Sequence, residues 1–139
     1  MYRYVHESRT TVAPETLWSA KKDLARWPEF DAGLESVTPK GPFQRGTEFT
    51  LRPQGGPNVR MTIESAEAPR RFADVAHLFL AKMRTATEFT KTNGDTVVRV
   101  TIEVFGPLAF FWNLVLARKL AAESAAQTQA FIRYAGRAA

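Results

Sequence analysis

Cysteine is absent from this chain, which excludes disulfides, thiolate metal sites and a cysteine nucleophile. That absence fits a reducing compartment, and a cytoplasmic location is expected. Histidine is scarce: His6 and His77 fall on different predicted strands, and no spacing supplies the third and fourth ligands that a metal centre needs. Long apolar runs are also missing. No stretch approaches the roughly 18–20 apolar residues of a membrane span, and the segment Met1–Glu7 lacks the apolar region of a secretory signal. There is no P-loop, no GxGxxG, no Gly-x-Ser-x-Gly and no His-x-Glu pattern. Neither metal nor cofactor is expected, and no internal repeat or linker breaks the chain.

What remains is ordinary globular material. The 139 residues are 45% hydrophobic and 24% charged, enough for one domain spanning 1–139 with a real core. The net charge is +5, but the basic residues are scattered singly or in pairs such as Lys21-Lys22, Arg70-Arg71 and Arg118-Lys119. This reads as a solvated surface without a nucleic-acid partner.

Periodicity sets the order of elements. Tyr2 to Val12 alternates as a strand. Ala13-Pro14-Glu15-Thr16 is a helix start, with Pro in the first turn and Glu15 at the positive end of the dipole. Arg26-Trp27-Pro28 should break that helix, and Phe30 and Leu34 mark a second short one. The period then changes to two: strands are predicted at Ser36–Thr38, Thr47–Pro53, from Val59, over Phe72–Leu80, Met83–Thr92 and Thr96–Phe105. Asn93-Gly94 is a hairpin turn of type I′. From Gly106-Pro107 to Ala138 the chain runs without Pro or Gly until Gly136, with helix-forming Ala, Leu, Lys, Arg and Gln. Hairpin-length connections and helices at both ends imply an α+β domain, with an antiparallel sheet receiving one long terminal helix.

The motifs Ala13-Pro14-Glu15-Thr16-Leu17-Trp18, Asp23-Leu24-Ala25-Arg26-Trp27-Pro28-Glu29-Phe30, Gly46-Thr47 and Gly106-Pro107-Leu108-Ala109 resemble the polyketide cyclase/dehydrase and lipid-transport family. That family belongs to the START-like, or SRPBCC, superfamily. The resemblance covers essentially the whole chain and is specific for fold rather than function. It implies a Bet v 1-type helix-grip fold, in which a strongly curved seven-stranded sheet wraps a C-terminal helix. It also implies a cavity between the two for an apolar small molecule. Members include carriers and aromatase/cyclases, so the fold does not choose between binding and turnover.

Candidate site residues follow from which face of each element should point inward. On the first strand Tyr4, His6, Ser8, Thr10 and Val12 share a face. Ser8 would give the cavity a polar lining, and His6 lies either inward with it or solvated near an edge. Tyr4 and His6 are the candidate acid and base of a cyclase-like reaction, with His77 and Glu103 weaker ones. Apolar lining is expected from Trp27, Phe30, Phe49, Leu51, Met61, Ile63, Val100 and Ile102. On the sixth strand Met83, Thr85, Thr87 and Phe89 form the inward face. The Phe72–Leu80 strand offers two competing faces, and its inward side stays open. Along the terminal helix the stripe Trp112, Leu116, Leu120, Ser124 or Gln127, and Phe131 should meet the sheet. Ser124 and Gln127 either reach a ligand or face water.

The stretch Pro107 to Ala117 is apolar nearly all round. The short helices together with a homodimer contact through Phe110–Val115 are its expected cover. Three functions remain: a carrier of an apolar, lipid-like or aromatic molecule, which is favoured; a cyclase or dehydratase using His6 and Tyr4; and a dimeric interaction module without a ligand. A carrier needs only an apolar cavity with one or two polar anchors.

Overall fold

The computed structural model describes residues 1–138. Strands β1 (Tyr2–Thr10), β2 (Leu34–Pro39), β3 (Glu48–Pro53), β4 (Val59–Glu67), β5 (Arg71–Leu78), β6 (Ala81–Thr92) and β7 (Asp95–Phe105) form one antiparallel sheet, ordered β1-β7-β6-β5-β4-β3-β2. The first strand crosses over to pair with the last, Tyr2 opposite Val104 and Thr10 opposite Thr96. The helices all follow β1 or β7. This is the expected α+β helix-grip architecture.

Helix α1 spans Pro14–Lys21, with Pro14 in its first turn and Leu17 and Trp18 buried. The second short helix lies earlier than predicted. Leu24–Glu29 is a 3₁₀ helix that contains Trp27 and Pro28, and Leu34 already begins β2. Arg26-Trp27-Pro28 therefore ends no helix. The tight 3₁₀ turn leads the chain from α1 into β2, and the Trp27 indole N–H donates to the Lys21 carbonyl at 2.9 Å. The Asn93-Gly94 turn takes positive φ at both residues, 51° and 86°, as a type I′ hairpin requires.

The terminal helix also differs from a simple rod. Gly106 and Pro107 form a turn, and the helix opens at Ala109 rather than at Pro107. It runs as α2 (Ala109–Trp112), a π-helical turn over Asn113–Ala117, and α3 (Arg118–Ala138). A π turn inserts an extra residue and rotates the helical face that follows it. Here it turns Asn113 and Ala117 into the core while leaving Leu114 and Val115 outside.

The core sits between the concave face of the sheet and α1, the 3₁₀ helix and α3. An aromatic chain runs through it: Trp18 on Phe43, Phe43 on Phe72, Phe72 on Trp27, Trp27 on Phe49. Phe131 of α3 stacks on Phe89 with centroids 6.2 Å apart. Such contacts add on the order of 1 kcal/mol each beyond area burial. On the convex face Arg84 forks onto Glu64, at 2.6 and 3.0 Å, and lies over the Phe105 ring. No described helix is long and apolar enough to cross a membrane.

Candidate ligand-binding cavity

A cavity of about 340 Å³ lies between α3 and the sheet. Its floor is built from alternate residues of neighbouring strands: Leu51, Val59 and Met61, then Phe72, Asp74, Ala76 and Leu78, then Met83, Thr85 and Thr87, then Val98, Val100 and Ile102. Leu116, Leu120, Ser124, Gln127, Thr128 and Phe131 form the roof, and Lys21, Trp27, Phe30, Asp31 and Leu34 close one end. The lining is mostly apolar, with a few polar groups set among aliphatic and aromatic walls, as small-molecule sites usually are.

Of the residues named from sequence, Trp27, Phe30, Leu51, Met61, Met83, Thr85, Thr87, Val100, Ile102, Leu116, Leu120, Ser124, Gln127 and Phe131 all border this space. Ser124 is buried and Gln127 half-buried, and both border the cavity. Four others do not border it. Phe49, Ile63 and Phe89 are inward but are covered by neighbouring core side chains, at 0–2% exposure. Ser8 lies on β1, the edge strand beyond β7, where the cavity floor ends with Val98, Val100 and Ile102.

The same displacement governs Tyr4 and His6. The Tyr4 hydroxyl donates to Asn113 Oδ1 of the π turn, and His6 Nε2 lies 2.9 Å from Ser8 Oγ. Neither borders the cavity, so an acid–base role there for Tyr4 and His6 has no geometric basis. His77 is on the outer face, 2.8 Å from Thr62 Oγ1. Burial and the nearby Arg60 and Lys82 push its pKa down. Glu103 is also outside, paired with Arg84. Among the described residues no group of three His, Asp or Glu side chains gathers at metal-binding distance.

Two residues that sequence reasoning passed over define the site's electrostatics. Lys21 ends α1, and its ammonium sits over three aromatic rings, 4.7 Å from the Trp27 centroid, 5.2 Å from Phe131 and 5.9 Å from Phe72. Asp74 stands on β5 at 7% exposure. Burial lowers the Lys21 pKa, opposed by Asp74 and then Asp31. Burial pushes the Asp74 carboxyl up to about 7, opposed by Lys21 and reinforced by Glu64. Among the described residues no side-chain hydrogen bond reaches either head, and no ion pair within 4.0 Å joins them. Among the described residues every fully enclosed side-chain nitrogen or oxygen does have a partner. The unpartnered atoms of Lys21 and Asp74 therefore open onto the cavity that both residues line.

Lys21 carried a readable signal, whereas the direction of Asp74 needed the β5–β6 register. Lys21 falls four residues after Leu17 and three after Trp18, on the buried face of α1. Asp74 pairs directly with Thr85 across β5 and β6. Directly opposed residues point to the same side of a sheet, so an inward Thr85 makes Asp74 inward too. Phe72, Asp74, Ala76 and Leu78 thus form the inner face of β5.

Solved structures share this fold. The solved structure of Ara h 8.0201 superposes with a TM-score of 0.73 at 17% identity, over 96% of this chain and 97% of that one. A hypothetical protein of Helicobacter pylori gives 0.80 at 11%, over 96% and 88%. Truncated norcoclaurine synthase from Thalictrum flavum gives 0.73 at 14%, over 94% and 90%. At these identities the likeness is one of fold. No curated protein sequence matches the chain significantly. The family model described as polyketide cyclase/dehydrase and lipid transport matches residues 2–136. The motifs, the helix-grip topology and that match over nearly the whole length together place the chain in the polyketide cyclase/dehydrase and lipid transport family.

Proposed function

We propose that the chain binds an apolar small molecule, lipid-like or aromatic, in the cavity between α3 and the sheet, and acts as a carrier. The observation that carries this reading is the cavity of about 340 Å³ with a largely aliphatic and aromatic lining. Burying an apolar ligand there is favourable at about 25 cal/mol per Å² of surface removed from water. The test is native mass spectrometry with displacement of a fluorescent lipid, on the native chain and on Ser124→Phe, which fills the roof. Uptake by the native chain and its loss in a folded Ser124→Phe support the reading. No uptake by the native chain ends it.

A second reading concerns the end of the helix. Phe110, Phe111, Leu114 and Val115 are 45–62% exposed, beside Phe79 and Leu80 at 71% and 54%. The short helices expected over them pack elsewhere, α1 against α3 and the 3₁₀ helix against β2. A contiguous apolar surface of this kind favours self-association, and a homodimer through Phe110–Val115 is the contact that would cover it. Sedimentation velocity decides: a dimer broken by Leu114→Ser supports it, and a monomer at high concentration overturns it.

A further inference from the structure

Lys21 and Asp74 face one cavity and do not touch, and they carry opposite charges once the Asp74 carboxyl ionises near pH 7. The Lys21 ammonium is held where it is by the faces of Trp27, Phe131 and Phe72, a placement that is strong when the cation is shielded from water. Asp74 lies across the cavity wall on β5, next to Thr85 of β6. Each head has unfilled hydrogen-bond capacity in a place where unfilled capacity is unfavourable.

We propose that the space between Lys21 and Asp74 is a recognition pole for a neutral hydroxyl, that of an alcohol or phenol. Its oxygen accepts a hydrogen bond from Lys21, and its proton is donated to Asp74. The apolar remainder of the ligand lies along the cavity. This inference rests on the carrier reading above and names the chemistry of its ligand.

Charge balance selects the hydroxyl. Lys21 and Asp74 compensate each other, so a third charge placed between them is buried without a counterion, a strongly unfavourable state. A carboxylate would meet Lys21 but also Asp74, with Asp31 beyond it. An ammonium would meet Asp74 but also Lys21. A hydroxyl offers donor and acceptor on one atom, and both its bonds would be to charged groups, the stronger kind. The groups around the pole act in the same direction. Asp31 at the cavity end already accepts from the Gly33 N–H at 2.9 Å, Glu64 is clamped by Arg84 outside the sheet, and Glu123 of α3 is exposed at the rim. The raised pKa of Asp74 is that of a carboxyl without donors. A hydroxyl donating to it would lower that pKa, so binding near neutral pH would release protons.

The test is titration calorimetry of the native chain with four ligands of one chain length: decanol, methyl decyl ether, decanoate and decylamine. Decanol is expected to bind at least about tenfold tighter than the ether, which keeps the acceptor but has no proton to donate. It is also expected to exceed the acid and the amine and to release protons on binding. In Lys21→Met/Asp74→Leu, where apolar groups replace both charges and the fold is retained, the decanol-to-ether ratio should fall to about one. Equal binding of decanol and ether by the native chain overturns the bridge, as does tighter binding of decanoate or decylamine. A preference that survives in the double variant overturns it too. If none of the four binds while the fluorescent lipid is taken up, the hydroxyl pole is overturned and the carrier reading stands; if the lipid is not taken up either, the carrier reading itself fails.

Discussion

The Tyr4 hydroxyl donates to Asn113 Oδ1, joining the first strand to the π turn of the terminal helix across 109 residues of sequence. Asn113 is buried at 7% exposure. The bond fixes where the helix crosses the end of the sheet, and so where Leu116 and Leu120 reach the cavity roof.

Tyr4→Phe leaves the Asn113 amide oxygen buried without its donor. A loss of about 1–3 kcal/mol in urea unfolding is expected. The double variant Tyr4→Phe/Asn113→Leu should recover much of it, because removing both partners leaves no unsatisfied group. If the double variant is as unstable as the sum of the singles, the bond is not the cause.

Gly106 holds φ at +112°, and a Cβ there would come within 2.9 Å of the Ala81 Cα and 3.1 Å of the Leu80 carbonyl. That close approach seats the start of the helix on the β5–β6 turn, where the Leu108 N–H donates to the Leu80 carbonyl at 2.9 Å. Gly106→Ala therefore combines an unfavourable backbone conformation with a backbone clash. The expected cost is about 2 kcal/mol or more, read as a Tm lower by roughly 5 °C or more. An unchanged Tm would mean that the approach relaxes without effect.

Asp74 predicts a pH dependence of stability. Its folded-state pKa of about 7 lies above its ordinary 3.8, so the folded chain keeps a proton that the unfolded chain has released. The contribution is fully present below about pH 4 and is lost as pH rises through about 7. Lys21, whose pKa is lowered, acts in the opposite sense at alkaline pH, where stability recovers as the folded chain sheds its proton first. The unfolding free energy of the native chain, from urea denaturation at pH 4 to 8, should fall by on the order of a few kcal/mol in total. The slope should flatten in Asp74→Asn, and a slope unchanged by that substitution assigns the effect elsewhere.

Arg84 reaches Glu64 with two parallel bonds, Nε to Oε1 at 2.6 Å and a terminal nitrogen to Oε2 at 3.0 Å, while Glu103 lies 3.5 Å away. Lysine cannot reproduce that fork or lie flat on Phe105. Because the group is partly exposed, Arg84→Lys should cost only about 1 kcal/mol. Salt should narrow the difference between native and variant. A variant equal to the native chain in low salt would show that the fork adds nothing.

Local pattern carried most of the fold. Alternation at Val59, Met61 and Ile63 and at Val98, Val100 and Ile102 predicted inward faces that the structure keeps, and Asn93-Gly94 marked its hairpin. The β5–β6 turn was not readable in the same way, because Phe79-Leu80 has no turn residue and Leu80 takes φ of 51°, a conformation unusual for a bulky side chain. Without that turn the register of β5 stayed open, and with it the direction of Asp74. The π turn was equally hidden: Asn113–Ala117 reads as ordinary helix, and its extra residue is set by what Tyr4 and the sheet end demand.

The sequence alone determined the architecture, the family resemblance and the largely apolar character of the space beneath the helix, because period and turn chemistry act over a few residues. Only the tertiary structure decided which inward residues touch an empty space and which touch one another. Phe49, Ile63 and Phe89 have the same inward pattern as Met61, Thr85 and Thr87, yet they pack solidly. The same step brought Lys21 of the first helix to the cavity of Asp74 on the fifth strand. Burial and charge coupling between residues far apart in sequence depend on the closed sheet, and no local period encodes them.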